Sequence, residues 1–311
     1  MSTQRSVVFT LLEGHYHLGA AVLFNSLFAA GFRGKCLIGH RGPPPPWCTA
    51  RSPEGRPRWD GPEGFHVECV TVETDWHLTN HKPGFFLRLW REIVPNAERL
   101  YYCDPDVVVK REWNYFEDWA DCGIALVQDV NPLMPPDHPV RQAWARFLRE
   151  AGHPPIHARD AYYNGGFVGA HHRDAAFIEL WHRLIVAGES AGFTPKTVSQ
   201  RMKRYPYFRF ADQDFLAMAT MVSPAPLSTV GPSGMDFFPG GTQLSHAMGR
   251  PKPWLRIYLG RALAGIPLAT ADRQFWAHAA GPIPAFSRGR IRWKRIDLAL
   301  ASFLNRFYRR A

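Results

Sequence analysis

Short apolar runs alternate with longer amphipathic stretches along the chain, and their order predicts the fold class. Residues 7–12 form a short apolar run typical of a buried strand. Residues 18–32 follow with helical periodicity and have Gly31 where a helix would end. Residues 35–40 then repeat the strand pattern. A strand, a helix and a second strand in this order predict parallel pairing in an α/β fold.

The alternation continues to about residue 222, beyond which many prolines, glycines and short strand-like segments make the pattern irregular. Further strands are predicted at 65–72, 100–110, 122–130 and 162–171, and helices at 82–94, 138–152, 173–188 and 211–222. Residues 41–64 are rich in proline and glycine, and we predict that they form a long irregular loop. Because the sequence has no internal repeat and no obvious linker, we predict one main domain with a C-terminal extension.

Composition narrows the class of protein. Of the 311 residues 46% are hydrophobic, which is ample for a core, and the 11 Trp and 21 Phe argue against a disordered chain. No apolar run approaches the roughly 20 residues of a membrane-spanning helix, and the N-terminus does not resemble a secretory signal. Five cysteines without a CxxC pair favour reduced thiols over a disulfide scaffold or a zinc cluster. We therefore predict a cytoplasmic protein.

The formal net charge of +10 is concentrated near the C-terminus. Residues 250–311 hold 13 of the 37 Lys and Arg and two of the 27 acids, which leaves 24 basic and 25 acidic residues before them. On a helix the tail would present an apolar stripe of Trp293, Ile296, Leu300, Phe303, Leu304 and Phe307 among eight Lys and Arg between Arg288 and Arg310. Such a helix suits an anionic membrane surface. The alternative is an ordinary helix packed on the main domain.

Two carboxylates interrupt the strongly apolar strand at residues 100–110. Asp104 and Asp106 flank Pro105, and a core strand does not normally contain both, because an unpaired carboxylate is costly to bury. One interpretation is a turn, which Asp and Pro both favour. The other is a ligand site, since ligands bind beyond the carboxyl ends of strands in open α/β sheets. A divalent cation there would neutralise both charges.

Three later segments contain further candidate chemistry. In SHAMGRPKPW (245–254), His246 is a candidate third ligand that would favour Mn²⁺ over Mg²⁺, and Lys252 lies between two prolines on a predicted stiff loop. The glycine pair of NGGF (164–167) indicates a close approach by a ligand or another strand. The acids of ADQDF (211–215) would serve equally well as helix caps.

The order of these four segments resembles the order found in glycosyltransferases of the GT-A fold, most closely those of family 8. These enzymes are retaining and use nucleotide-sugars. That family has a DxD at the end of an apolar strand, an Asn-Ala-Gly-like strand, an Asp-Gln-Asp segment and a late His-x-x-Gly-x-x-Lys-Pro-Trp. Here the same order reads DPD, NGG, DQD and HAMGRPKPW. The resemblance covers roughly residues 7–254. It implies a GT-A catalytic domain at residues 1–255, built on a Rossmann-like mixed sheet flanked by helices, and a helical extension at residues 256–311.

The resemblance also implies a role for each matching residue. Asp104, Asp106 and His246 are expected to bind Mn²⁺ (or Mg²⁺), which bridges the diphosphate of the donor. The other expected donor contacts are Lys252, Gly249, Asp129, Asn164 and Lys82, the last ranked before Arg88. Near the anomeric carbon, Gln213 is expected to stabilise the sugar through its carbonyl dipole, and Asp212 is the alternative nucleophile.

One segment departs from the family pattern. The first strand–helix loop reads LLEGHYH (11–17), where the family usually has an Asp or Asn that contacts the base. The implied activity is transfer of a hexose, with retention, from a nucleotide-diphosphate sugar such as a UDP-sugar to a lipid-linked, lipopolysaccharide or polysaccharide acceptor. The basic tail adds the expectation that this cytoplasmic protein is peripheral on the inner face of the cell membrane. A metal-dependent nucleotidyltransferase or phosphohydrolase is the alternative. A non-enzymatic nucleic-acid-binding protein is a third class, which the basic tail favours and the neutral body opposes.

Overall fold

A nine-stranded mixed sheet and a separate two-stranded ribbon organise the computed structural model, which describes residues 5–131, 133–200 and 207–307. The strands are β1 (Ser6–Glu13), β2 (Lys35–Arg41), β3 (Ala50–Arg51), β4 (Pro57–Asp60), β5 (His66–Thr71), β6 (Arg99–Cys103), β7 (Val107–Val109), β8 (Ile124–Gln128), β9 (Tyr163–His171), β10 (Leu227–Val230) and β11 (Leu244–His246). The helices are α1 (His17–Ala29), α2 (Leu78–Arg88), α3 (Trp113–Asp121), α4 (Pro139–Glu150), α5 (Ala175–Ser190), α6 (Ala211–Val222), α7 (Tyr258–Leu263), α8 (Thr270–His278) and α9 (Arg288–Leu304).

The large sheet has the order β10-β8-β9-β6-β1-β2-β5-β4-β3, with β1 at its centre. β1 pairs in parallel with β2 and β6, whereas β9 is antiparallel to both β6 and β8. The carboxyl ends of β1, β6 and β8 therefore lie at the same edge as the beginning of β9. The predicted α/β fold with a mixed sheet flanked by helices is confirmed.

Helices cover both faces of the sheet, and the alternation along β1 shows how. Phe9 packs into a core with the aromatic residues of α2, α5 and α6, whereas its neighbour Val8 packs into a second core with α1 and α3. Successive side chains of a strand point to opposite faces, so a strand covered on both sides is apolar throughout. This is why residues 7–12 form a continuous apolar run rather than an alternating one.

The proline-rich segment 41–64 is more ordered than predicted. β3 and β4 form an antiparallel hairpin that continues the sheet from β5, and Trp59 lies opposite Val67. Trp47 anchors the preceding loop, because its side chain is buried and its Nε1 donates to the carbonyl of His17. The two strands are only two and four residues long and contain Arg, Asp and Pro, so the hydrophobic pattern did not reveal them.

Helix α2 begins earlier than predicted. It starts at Leu78 rather than at residue 82, so Pro83 lies inside it, and a π-helical turn at Leu89–Ile93 follows. The polar residues before Pro83 obscured this start. Asn80 is buried and donates to the carbonyls of Pro195 and Thr197, so a polar residue occupies an inward-facing position of the helix.

Beyond residue 222 the chain forms the short strands β10 and β11 and then three helices. Helix α9 buries Ile291, Leu298 and Ala301 in a core with Trp254 and with Val22 of α1. This face of α9 therefore packs on the main domain, as the alternative interpretation of the tail predicted. The domain boundary at residue 255 stays a prediction. In the described part of the chain, no helix is both long and apolar enough to cross a membrane.

The opposite face of α9 holds most of the predicted apolar stripe. Leu304 is partly buried, and the other members are exposed: Trp293, Ile296, Leu300 and Phe303 on the helix and Phe307 in the turn after it. Of the eight basic residues predicted to surround the stripe, Arg309 and Arg310 lie outside the described residues. The helix therefore has two apolar faces, one packed and one exposed.

Candidate active site

The DxD turn and the late histidine meet because β7 pairs with β11. Asp104 and Asp106 follow the end of β6, and the antiparallel ribbon places His246 opposite Val107. The Nε2 atom of His246 lies 3.7 Å from Oδ2 of Asp104 and 3.5 Å from Oδ1 of Asp106. One ligand atom from each of the three residues lies within 4.8 Å of the others. Within the described ranges, no other group of three His, Cys, Asp or Glu is placed in this way.

Hydrogen bonds of Asn164 fix the orientation of the His246 ring. The Asn164 Nδ2 donates to Oδ2 of Asp129 at 2.6 Å, and its Oδ1 accepts from the Gly166 N–H at 2.9 Å. The same Oδ1 lies 3.2 Å from Nδ1 of His246. Because an amide oxygen only accepts, Nδ1 must donate, and this orientation of the ring directs Nε2 toward the two carboxylates. Metal-binding histidines are oriented in the same way.

The charge of Asp106 is balanced by neighbouring side chains, and this explains how the buried turn between β6 and β7 tolerates a carboxylate. Asp106 is buried, and the Lys252 ammonium donates to its Oδ2. Burial alone would raise the pKa of Asp106, but His246 and Lys252 outweigh it and hold the pKa well below its usual range. Lys252 also donates to the carbonyl of Ala247 at 3.3 Å, so its position is fixed by two contacts.

Asp104 is more exposed and has a different set of partners. The hydroxyl of Tyr102 donates to its Oδ1, and the ammonium of Lys82 lies 3.4 Å from the same atom. The sequence reasoning missed Tyr102. The period of two along a strand was the available signal, since it places Tyr102 on the same face as Asp104.

The donor set fits a divalent cation. Two carboxylates and one imidazole whose Nε2 faces them are ligand types that such a cation takes, and an imidazole is more usual on a transition metal than on Mg²⁺. The triad lies beyond the carboxyl end of β6, where α/β sheets bind ligands.

The two glycines of NGG make room on opposite sides of β9. A Cβ at Gly166 would lie 2.6 Å from Cε1 of His246. A Cβ at Gly165 would lie 2.6 Å from Oδ2 of Asp212 and 3.3 Å from Nζ of Lys82. The predicted close approach is thus made by side chains of the site itself.

Lys82 is buried between two carboxylates rather than exposed toward a ligand. Its ammonium donates to the carbonyl of Gly165 at 2.8 Å and to Oδ2 of Asp212 at 2.9 Å. Burial would lower the pKa of Lys82, but Asp104 and Asp212 raise it overall. Burial also raises the pKa of Asp212, against the opposing effect of Lys82. Arg88, the alternative to Lys82 in the sequence analysis, is instead paired with Glu92 at 3.2 Å.

The DQD segment divides into one residue that fixes the entry to α6 and two residues beside the triad. Asp214 accepts the N–H groups of Arg209 and Phe210, which precede α6, so it holds the chain at the entry to the helix rather than capping the N–H groups of its first turn. Gln213 accepts the Gly165 N–H through Oε1 at 3.1 Å, and its Nε2 lies 3.4 Å from Oδ2 of Asp129. Asp129, Asn164 and Gln213 therefore form one hydrogen-bonded polar group next to the triad.

Gly249 and Trp254 shape the loop that carries Lys252. Gly249 has a φ of 78°, in the left-handed region that favours glycine. Trp254 is buried and donates from Nε1 to Nδ1 of His15, at 2.9 Å. The first strand–helix loop is thus tied to the HAMGRPKPW loop. No motif in the sequence indicated this contact.

No protein-family model and no curated protein sequence matches the chain. Solved structures that are similar to it include three glycosyltransferases. They are the galactosyltransferase LgtC in complex with donor and acceptor sugar analogues (16% identity, TM-score 0.50, 93% of this chain and 99% of that one), the bifunctional glycosyltransferase WbbM in its apo form (12%, 0.51, 96% and 52%) and the glycosyltransferase GlyE of Streptococcus pneumoniae TIGR4 (13%, 0.52, 96% and 64%).

These similarities concern the fold. The chain spans nearly the whole of LgtC but only about half of WbbM and less than two thirds of GlyE. At 12–16% identity they show that the chain has the GT-A α/β fold, as the sequence analysis predicted. The fold does not by itself determine the activity, since one fold supports many functions.

Proposed function

We propose that the protein is a metal-dependent glycosyltransferase that moves a hexose from a nucleoside-diphosphate sugar to an acceptor hydroxyl with retention of configuration. The observation that carries this proposal is the triad of Asp104, Asp106 and His246 with the ammonium of Lys252 beside it. LgtC, whose structure contains donor and acceptor sugar analogues, supports it through its shared fold. UDP-sugars are the first donors to test, and a lipid-linked, lipopolysaccharide or polysaccharide glycan is the proposed acceptor.

The triad residues would hold the cation, and we expect them to prefer Mn²⁺ to Mg²⁺. When bound, the cation supplies Lewis-acid stabilisation of the negative charge that develops on the departing diphosphate. Lys252 adds a fixed positive charge at the same place, since its ammonium is held by Asp106 and by the carbonyl of Ala247. A preorganised charge aimed at a leaving group stabilises the transition state without reorganisation at the moment of reaction.

Asp129, Asn164 and Gln213, the polar group next to the triad, would bind the donor sugar. Gln213 keeps one lone pair on Oε1 after accepting from Gly165, and its carbonyl dipole would stabilise the positive charge at the anomeric carbon. An amide is a poor nucleophile. Asp212 is the alternative nucleophile, but it is buried and ion-paired with Lys82, which favours a positioning role.

In a retaining reaction the acceptor hydroxyl attacks the anomeric carbon on the same face from which the diphosphate leaves, and this determines where the hydroxyl proton goes. The acceptor oxygen forms the new bond to the anomeric carbon as the bond to the phosphate oxygen breaks, and that oxygen takes the hydroxyl proton. The products are the glycoside and the nucleoside diphosphate, with no added oxidant or base.

Incubation with a panel of UDP-sugars and Mn²⁺ tests the proposal. We expect free UDP and sugar by slow hydrolysis, and a glycoside when an acceptor glycan is present. Release of a nucleoside monophosphate would instead support the nucleotidyltransferase or phosphohydrolase. Salt-sensitive DNA retention without donor binding would support the nucleic-acid-binding protein. Removal of Mn²⁺ with EDTA should abolish transfer and hydrolysis of the donor sugar.

We also propose that the exposed face of α9 holds the enzyme on the inner surface of the cell membrane. Trp293 and Phe303 are each more than half exposed, and Arg288 and Arg292 of the same helix are exposed as well. Aromatic and basic residues together favour the interface of an anionic bilayer. A lipid-linked acceptor would then be present at the surface on which the enzyme lies.

A further inference from the structure

Two cysteines far from the DxD turn in the sequence lie side by side. The Sγ atoms of Cys48 and Cys69 are 3.3 Å apart. Cys69 belongs to β5, whereas Cys48 lies in the loop between β2 and β3 that contains the proline run. A disulfide has an S–S distance of about 2.05 Å, so the sulfurs need to approach by little more than 1 Å.

Access to the two thiols is unequal. Cys69 is fully buried, and both its hydrogen bond with Cys48 and its burial raise its pKa. Cys48 is half-buried and can be reached from solvent. A small oxidant would therefore meet Cys48 first, with Cys69 as the resolving thiol. Among the other cysteines, Cys36 and Cys103 are buried and Cys122 is exposed.

We propose that Cys48 and Cys69 form a redox pair that closes reversibly into an intramolecular disulfide when the protein meets a low-molecular-weight disulfide such as oxidised glutathione. The Cys48 thiolate attacks one sulfur of the small disulfide and releases a thiol. Cys69, losing its proton, then attacks the Cys48 sulfur and releases the second thiol. The protein loses two protons and two electrons, which the small disulfide takes up to become two thiols.

The new bond would pin the proline-rich loop to the sheet. Cys48 directly follows Trp47, whose Nε1 donates to the carbonyl of His17 and whose ring packs against Phe24 of α1. The loop is therefore already in contact with the start of α1, and the disulfide would add a covalent attachment to β5. Cross-linking a segment of about 20 residues stabilises a fold mainly by restricting its unfolded chain.

The experiment uses the full-length Cys122→Ser variant, which removes the exposed thiol as a competing site. The protein is incubated with oxidised glutathione, blocked with N-ethylmaleimide and digested with trypsin under denaturing conditions. Cleavage after Arg41, Arg51, Arg58 and Arg88 gives peptides 42–51 and 59–88, each with one cysteine of the pair, since Lys82 precedes a proline and is not cut. We expect the two peptides to be joined, and dithiothreitol to separate them.

Two further readouts connect the bond to the folded structure. Native trypsin digestion between the two cysteines should be slower after oxidation, and its fragments should stay joined on a non-reducing gel. Labelling of Cys48 by N-ethylmaleimide in the native protein should fall about tenfold. Cys36 and Cys103 serve as internal controls, because they should be labelled only after unfolding.

Serine variants separate the proposal from simple thiol oxidation. Cys69→Ser should accumulate glutathione on Cys48 and give no joined peptides, and Cys48→Ser should stay largely unmodified at Cys69. Glutathione on Cys48 as the stable product in the presence of Cys69, or unchanged thiols at both positions, would overturn the proposal. None of these readouts depends on the proposed glycosyltransferase activity.

Discussion

Asp106 is the triad residue whose loss should be most informative, because it contacts His246 and Lys252 at once. Asp106→Asn removes one anionic ligand and leaves the Lys252 ammonium without its carboxylate. We expect turnover to be abolished and Mn²⁺-dependent binding of a nucleoside diphosphate to weaken by about 100-fold or more. Isothermal titration with UDP in the presence and absence of Mn²⁺ measures the effect.

Asp236→Asn is the matched control for that variant. Asp236 is also a buried carboxylate paired with a lysine, since Lys110 lies 2.7 Å from it, but it is not part of the triad. Both variants break a buried ion pair, at a cost of about 3–5 kcal/mol of stability. If Asp106→Asn keeps full activity in Mn²⁺, the metal assignment is wrong.

Asp214 should make the stability of the fold depend on pH. Burial raises the pKa of Asp214 to about 7 from its ordinary value of 3.8, and the nearby Asp212 adds to the rise. Hydrogen bonds from Tyr162 and two backbone N–H groups oppose it. The folded state thus binds a proton that the unfolded state releases between these two pH values. This contribution is complete below about pH 4 and is lost as pH rises toward 7, by up to about 1.4 kcal/mol per pH unit.

Asp214→Asn tests that contribution, since an amide does not titrate. Urea unfolding of both proteins from pH 4 to pH 8 gives the difference in the free energy of unfolding. We expect the wild-type protein to lose stability relative to the variant as pH rises through this range. A difference independent of pH would show that Asp214 is ionised in the folded protein throughout.

Strand β9 lies between the two halves of the site, because its glycine pair contacts His246 on one face and Asp212 on the other. Gly166→Ala would place a methyl group within 2.6 Å of the His246 ring and 2.8 Å from Oδ1 of Asn164. Either shift disturbs the hydrogen bond that orients the ring, so we expect Mn²⁺ affinity to fall about 10–100-fold. Metal-dependent change in the thermal midpoint is a readout that needs no donor or acceptor.

Gly169→Ala controls for simple overpacking of the same strand. Its Cβ would lie 2.9 Å from the Tyr101 ring and 3.2 Å from Ala125, so it strains the sheet at residues outside the triad. It should reduce stability by about 1–3 kcal/mol and leave the metal response intact. Equal metal responses in both glycine variants would contradict the role given to Gly166.

The sequence predicted the elements that carry the site better than the contacts inside it. Apolar runs placed β1, β6 and β9, because strands covered on both faces leave a clear signal. The burial of Lys82 was not predictable, since its partner Asp212 is 130 residues away. The His15–Trp254 bond was hidden for the same reason, because a hydrogen bond across the fold has no periodicity in the sequence. The contact of the Tyr102 hydroxyl with Asp104 is different: the two residues are neighbours on one face of the strand, so the period of two could have predicted it.

The C-terminal helix shows the same limit for a whole element. Its exposed stripe was predicted from a 3.6-residue period, but its buried face was not, because Lys294 and Asp297 interrupt the apolar pattern. Both are buried: Lys294 donates to the carbonyl of Arg256, and Asp297 accepts the N–H groups of Tyr258 and Leu259 at the start of α7. Polar residues that cap a neighbouring helix resemble a solvent-facing side when they are read from the sequence alone.

Membrane attachment involves the molecule as a whole, because it sets the surface from which acceptors reach the site. Truncating α9 would expose the core that it covers, so substitutions on its free face are the sharper test. Trp293→Ser with Phe303→Ser removes two exposed aromatic rings and, at surface positions, should change stability by less than about 1 kcal/mol. Ile156→Ser with Val186→Ser is the control, since both are exposed apolar residues outside α9.

We expect the wild-type and control proteins to sediment with vesicles containing phosphatidylglycerol and the α9 variant to remain in the supernatant. Binding should weaken with salt and with replacement of phosphatidylglycerol by phosphatidylcholine, because the arginines of α9 contribute by charge. Hydrolysis of the donor should be the same in all three proteins, since none of the four positions belongs to the site. If the α9 variant binds vesicles as well as the control does, this face does not hold the protein on the membrane.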